Sequence, residues 1–152
     1  MKDTSFKSVQ YEGIKIRIPG SWFSETETYE EADGSTSYSL NLCGRGRDAR
    51  CINISVGMIP EGSDAHIEAS RAYEEVVSEE DLAINEEPII CFEFQKNEAF
   101  GFNVWTEEGV PCFFFCFSIA GDNQLVTVLV SAMSNDELQS LVDFVEEYLS
   151  VE

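Results

Sequence analysis

The sequence predicts an α+β domain: an antiparallel β-sheet flanked by helices on both faces, in three layers. Three observations carry this. Short segments alternate strictly between apolar and polar residues, the first being Ile14-Lys15-Ile16-Arg17-Ile18, as half-buried strands do. The run Val110 to Phe117 is apolar at both parities, which demands protein cover on both sides of a strand. Ser134 and Glu137 form an S-x-x-E box, the signature of a helix start.

A chain of 152 residues suits one domain that buries roughly two thirds of the surface its unfolded form exposes. Eleven phenylalanines among 43% apolar residues supply a single core, so disorder is confined to the ends. No repeat, low-complexity tract or linker divides the sequence, and 1–152 reads as one unit with residues 1–10 as a flexible tail.

Gly13 to Ile18 forms the first strand, with Ile14, Ile16 and Ile18 inward, and Pro19, lacking an N–H, stops it. The acidic stretch Glu25 to Gly34 follows as irregular chain. Residues 36–43 place Tyr38, Leu40 and Leu42 on one face; residues 51–59 do the same with Ile52, Ile54, Val56 and Met58. The loop Gly44 to Arg50 joins them as a hairpin. Their polar second faces put both strands near a sheet edge or under thin cover.

Pro60, Gly62, Ser63 and Asp64 are stop and cap signals, after which Ala65, Ala69, Tyr73 and Val76 recur at helical spacing up to Glu79-Glu80-Asp81. Pro88 to Gln95, Ala99 to Thr106 and Val110 to Ile119 then read as a meander with turns at Lys96-Asn97 and Glu107-Glu108-Gly109. The doubly apolar third strand is central. Gln124 to Ala132 follows the turn Ala120-Gly121-Asp122-Asn123, and the last helix aligns Leu138, Leu141, Val142, Val145, Tyr148 and Leu149 on one face.

Nine Lys and Arg against 29 Asp and Glu give a formal charge of −20. Such a field repels nucleic-acid phosphate and anionic lipid headgroups; it either steers a basic protein or peptide to the surface or is simply a solvated acidic coat, and charge alone names no partner. The N-terminus lacks the apolar run of a secretory signal, and the longest apolar stretch, Pro111 to Phe117, is too short to span a bilayer. A cytoplasmic address is expected. Five cysteines, an odd count with no C-x-x-C pair, read as small core residues.

Enzymatic constellations are scarce. His66 is the sole histidine and falls in the first turn of a helix, and no calcium or phosphate loop motif is present. No cofactor, metal site or catalytic residue is expected. Cys43 and Cys51 approach across the hairpin either as structural thiols or as a redox pair, whereas Cys112 and Cys116 on one strand stand roughly 13 Å apart and cannot join. The alternative to a binding module is a cysteine-dependent hydrolase or redox enzyme using His66 and a carboxylate.

Two features are candidate binding elements. Arg45, Arg47 and Arg50 gather three of the nine positive charges in one loop, where they either grip a carboxylate or phosphate or neutralise neighbouring acids. Trp22 follows the Pro19-Gly20 turn that swings the chain off the sheet; its ring either seals the end of the core or faces a ligand, and the seal is the expectation.

Tyr11 to Trp22, YEGIKIRIPGSW, resembles the opening of PsbP-like domains, in which a strand of the form f-x-f-x-x-P-x-x-W starts an antiparallel sheet flanked by helices. The order of hairpin, helix, meander and terminal helix extends the resemblance through the chain, most similar to an uncharacterised bacterial family of this fold. The resemblance implies roles such as photosystem accessory subunits, Ran-binding factors and acidic dimeric chaperones for apolar segments of type VI secretion effectors. No residue of a functional site carries over. The expected function is thus a non-catalytic protein- or peptide-binding module, of accessory, chaperone-like or immunity type, whose partner is a basic or apolar protein segment or a second copy of the chain.

Overall fold

The computed structural model describes residues 5–32, 34–80, 83–84, 89–105, 110–119 and 124–151, with the side chains of 76–80 and 83–84 left aside. The turns expected at 107–109 and 120–123 lie outside them. In chain order the elements are β1 (Phe6–Tyr11), β2 (Ile14–Pro19), β3 (Phe23–Glu30), β4 (Thr36–Cys43), β5 (Cys51–Met58), α1 (Ala65–Glu80), β6 (Ala83–Ile84), β7 (Ile90–Phe94), β8 (Asn97–Trp105), β9 (Pro111–Ile119), β10 (Gln124–Ser131), α2 (Asn135–Tyr148) and β11 (Ser150–Val151). The larger sheet runs β3-β4-β5-β10-β9-β8-β6 with β7 also paired to β8; a smaller one runs β1-β2-β11. Every described pairing is antiparallel, so the fold is α+β with antiparallel sheets.

Ile14, Ile16 and Ile18 of β2 are fully buried while Lys15 and Arg17 stay outside, as the alternation requires. The expected tail over residues 1–10 is corrected from Phe6 onward: β1 pairs with all of β2. Lys7, Val9 and Tyr11 lie opposite the three isoleucines, and the Lys7 ammonium donates to the Trp22 carbonyl at 2.5 Å. An exposed lysine opposite Ile18 hides the strand from a reading of apolar spacing. Glu12 and Gly13, at φ 50° and 88°, make the two-residue turn whose twist matches a hairpin.

The acidic stretch expected to be irregular is strand β3, paired with β4 from Phe23↔Cys43 to Glu30↔Thr36. Apart from half-buried Phe23 it is exposed along its length, so neither face needs apolar residues. Its presence also moves the hairpin inward. β5 lies between β4 and β10, not at an edge, and the polar faces of β4 and β5 reflect the side of the sheet they are on.

β9 lies between β8 and β10, the central place its two apolar faces demand. Phe113, Phe115 and Phe117 join the main core with Leu138, Leu141 and Val145 of α2. On the opposite parity, Cys116 packs with Ala65 and Ala69 of α1 in a smaller cluster bordered by Phe100, Phe114 and Leu125, where a single core was expected. Gly101 allows β8 and β9 to approach: a Cβ there would fall 2.3 Å from the Phe114 carbonyl oxygen.

Both helices start on the expected caps. Asp64 accepts from the Ile67 amide at 2.9 Å and Ser134 from the Glu137 amide at 3.2 Å. The Glu137 carboxylate reaches the Met133 amide, one residue before the cap. Gln95 and Lys96, both at positive φ (50° and 69°), make the β7–β8 turn, one residue earlier than expected. Gln95 ties that turn to the end of α2: its amide donates to Glu146 Oε2, and its side chain to the Glu146 and Leu149 carbonyls at 2.8 and 2.7 Å.

Candidate functional site

The hairpin loop folds back on itself before it contacts anything else. Gly44 N–H donates to the Arg50 carbonyl at 2.9 Å, and Asp48 N–H to that of Arg45 at 3.1 Å. A Cβ on Gly44 would lie 2.5 Å from the Asp48 carboxyl carbon, so only glycine lets Asp48 turn inward. There Asp48 accepts two bonds from the Arg50 guanidinium, at 2.8 and 2.7 Å, and one from the Trp22 indole N–H at 3.0 Å. Hydrogen bonding from Arg50, opposed by partial burial and aided by Trp22, holds the Asp48 carboxyl down at about 2.

Trp22 is 1% exposed and belongs to the main core. The Arg50 guanidinium lies 5.1 Å from its ring centre. Arg45 donates to the Ser21 carbonyl at 3.0 Å and lies 5.2 Å from the centre of the Phe23 ring. Three of the four candidate residues, Trp22, Arg45 and Arg50, are thus brought together in one cluster, and Arg47 is exposed.

Cys43 and Cys51 face each other across β4 and β5, while His66 and the other three cysteines are dispersed. His66 rests on Phe100 with ring centres 4.9 Å apart. Buried Cys116 donates to the Ala65 carbonyl, and burial first, then Glu68 and Asp64, pushes its thiol up to about 12. Burial likewise raises Cys112, and exposed Cys91, which donates to Glu98, is raised as well. A raised thiol is a poorer nucleophile at neutral pH. Among the described residues no group of three or more His, Cys, Asp and Glu is arranged to hold a metal.

Spacing showed that the outer face of β4 and β5 is polar, but not how its groups pair. Ser39, Asn41, Asn53 and Ser55 form a ladder in which Asn53 donates to Asn41 at 2.6 Å and to Ser39 at 3.0 Å, and Ser55 to Ser39 at 3.3 Å. Bonded to one another, these groups form a stiff polar floor. Beside it a groove of about 510 Å³ runs between the sheet and the start of α1, lined by Glu31, Ser37, Ser55, Met58, Glu68 and Thr127 among others. Glu31 accepts from the Ser37 hydroxyl at 2.6 Å, and Glu68 pairs with Arg71 at 2.8 Å. Alternation had exposed the polar faces of the strands, but not the carboxylates that meet there from residues 31 and 68. A second cleft, of about 560 Å³, lies on the opposite face between α2 and β7–β9, with Phe92, Trp105, Phe113 and Leu138 in its wall.

No protein-family model matches the sequence, and no curated protein sequence matches it. The structure is similar to the solution structure of cyanobacterial PsbP (CyanoP) from Synechocystis, with a TM-score of 0.66 over 99% of this chain and 95% of that one, at 14% sequence identity. The PsbP-like fold expected from Tyr11 to Trp22 is therefore present. At that identity the likeness is one of fold.

Proposed function

We propose that this chain is a non-catalytic accessory module that binds a basic segment of a protein or peptide in the groove beside Ser55 and Thr127, on a three-layer scaffold with one helix behind each face of the larger sheet. The observation that carries this reading is the groove itself: two carboxylates, Glu31 and Glu68, share it with the hydroxyls of Ser37, Ser55 and Thr127. The charge of −20 steers cations toward it. In this reading Arg45, Arg50 and Trp22 serve the scaffold.

A panel of Arg- and Lys-rich peptides, with neutral peptides of equal length as controls, tests the proposal by fluorescence anisotropy. At least one basic peptide is expected to bind, more weakly as salt rises, with a tenfold or greater loss (about 1.4 kcal/mol) when Thr127→Arg places a cation in the groove. Failure of every basic peptide, or binding indifferent to Thr127→Arg, would overturn it.

A further inference from the structure

Cys43 and Cys51 are register partners at the ends of β4 and β5, just where the loop begins and ends. Both thiols are free and half-buried. The bond from Gly44 N–H to the Arg50 carbonyl marks residues 44 and 50 as a hydrogen-bonded pair, so by alternation Cys43 and Cys51 form the next, non-hydrogen-bonded pair. In such pairs the Cα atoms stand about 4.5 Å apart and the side chains lean together, within the range a disulfide spans. No other thiol competes for Cys51 on this face, since Cys112 stands two strands away, with Ser131 between them.

We propose that Cys43 and Cys51 are a reversible dithiol–disulfide couple that exchanges with low-molecular-weight disulfides such as oxidised glutathione and locks the 44–50 loop when oxidised. The Cys51 thiolate attacks one sulfur of glutathione disulfide, forming a mixed disulfide as the glutathione S–S bond breaks and one glutathione thiolate departs. Cys43 then loses its proton to solvent and attacks the Cys51 sulfur, displacing the second glutathione. Two protons leave the protein, and its two electrons reduce one glutathione disulfide to two thiols.

The order follows from the surroundings of Cys43. Burial first, then the hydrogen bond and charge of Cys51, push its thiol up to about 12, leaving the first attack to Cys51. Once Cys51 is capped its charge is gone, and that part of the restraint on Cys43 is released. Oxidation then closes a covalent ring around Asp48, the residue that holds both Trp22 and Arg50.

The test uses the full chain in glutathione buffers running from fully reduced to fully oxidised, quenched with acid, alkylated and digested with trypsin without reduction. Arg45 and Arg50 place cleavage sites inside the loop, so the disulfide joins two separate peptides, one ending at Arg45 and one beginning at Cys51. The linked pair is expected in most chains at the oxidising end, two hydrogen masses lighter than the sum of its parts, and absent after return to reduced buffer. Cys43→Ser, checked for folding by circular dichroism, should instead accumulate glutathione on Cys51. The proposal is overturned by a folded wild-type chain that never yields the linked pair, by a link formed only after denaturation, or by a folded Cys43→Ser protein that leaves Cys51 unmodified. If that variant does not fold, the wild-type result alone decides.

Discussion

Replacing Trp22 with phenylalanine tests whether the indole is a working part of the scaffold. The substitution keeps an aromatic ring in a site that is 1% exposed but deletes the N–H that donates to Asp48. A hydrogen bond to a charged group contributes about 1.5–3 kcal/mol, and the lower end applies because Asp48 keeps both bonds from Arg50. The smaller ring leaves about 40 Å³ unfilled, which at about 24 cal/mol per Å³ adds about 1 kcal/mol. The sum, about 2.5 kcal/mol, corresponds to a fall in Tm of roughly 5–10 °C for a domain of this size.

Urea unfolding of Trp22→Phe can be followed by the fluorescence of half-buried Trp105, the second tryptophan of the chain. The midpoint should fall at unchanged slope, the mark of altered stability rather than an altered unfolded state. In a double-mutant cycle with Asp48→Ala the two changes should couple by about 1–2 kcal/mol. An unchanged midpoint, or strictly additive effects, would show that the indole N–H contributes nothing to the scaffold.

Two further outcomes are expected. The carboxyl of Asp48 is depressed on folding from 3.8 to about 2, so its contribution is complete above the unfolded value and fades as pH falls through the folded one. The Tm deficit of Asp48→Asn should accordingly shrink between about pH 5 and pH 2, and a constant deficit over that range would refute the assignment. Lys96 sits at φ 69°, a conformation costing a side-chain-bearing residue about 1–2 kcal/mol. Lys96→Gly should therefore raise stability by about 0.5–1 kcal/mol after glycine's own entropic cost, measurable as a rise in Tm.

The elements legible in the sequence were those whose side chains face a core. Ile14, Ile16 and Ile18 announced β2, the two apolar parities of Phe113 to Phe117 put β9 at the centre, and Ser134 marked the start of α2. What escaped did so for physical reasons. β1 sets exposed Lys7 opposite buried Ile18, where its ammonium finds a carbonyl, and β3 has two polar faces because almost nothing covers it. A polar face on β5 cannot distinguish an edge strand from an inner strand with one open side, and the structure shows the second. Within the candidate sites, the approach of Cys43 to Cys51 could be anticipated from the hairpin. The groove was not: Glu31 follows an edge strand and Glu68 lies in the first turn of α1, and only the folded chain brings them to one place.

The carboxylates of β3 bear on how copies of this molecule treat one another. Glu25, Glu27 and Glu30 line the outermost strand of a sheet that ends in open backbone amides and carbonyls. A second molecule zipping onto that border in antiparallel fashion would set glutamate against glutamate, each deprived of the water that keeps its neighbour tolerable. At high concentration the protein should stay dispersed for this reason, and threonine substitutions along the fringe would invite fibrous stacking.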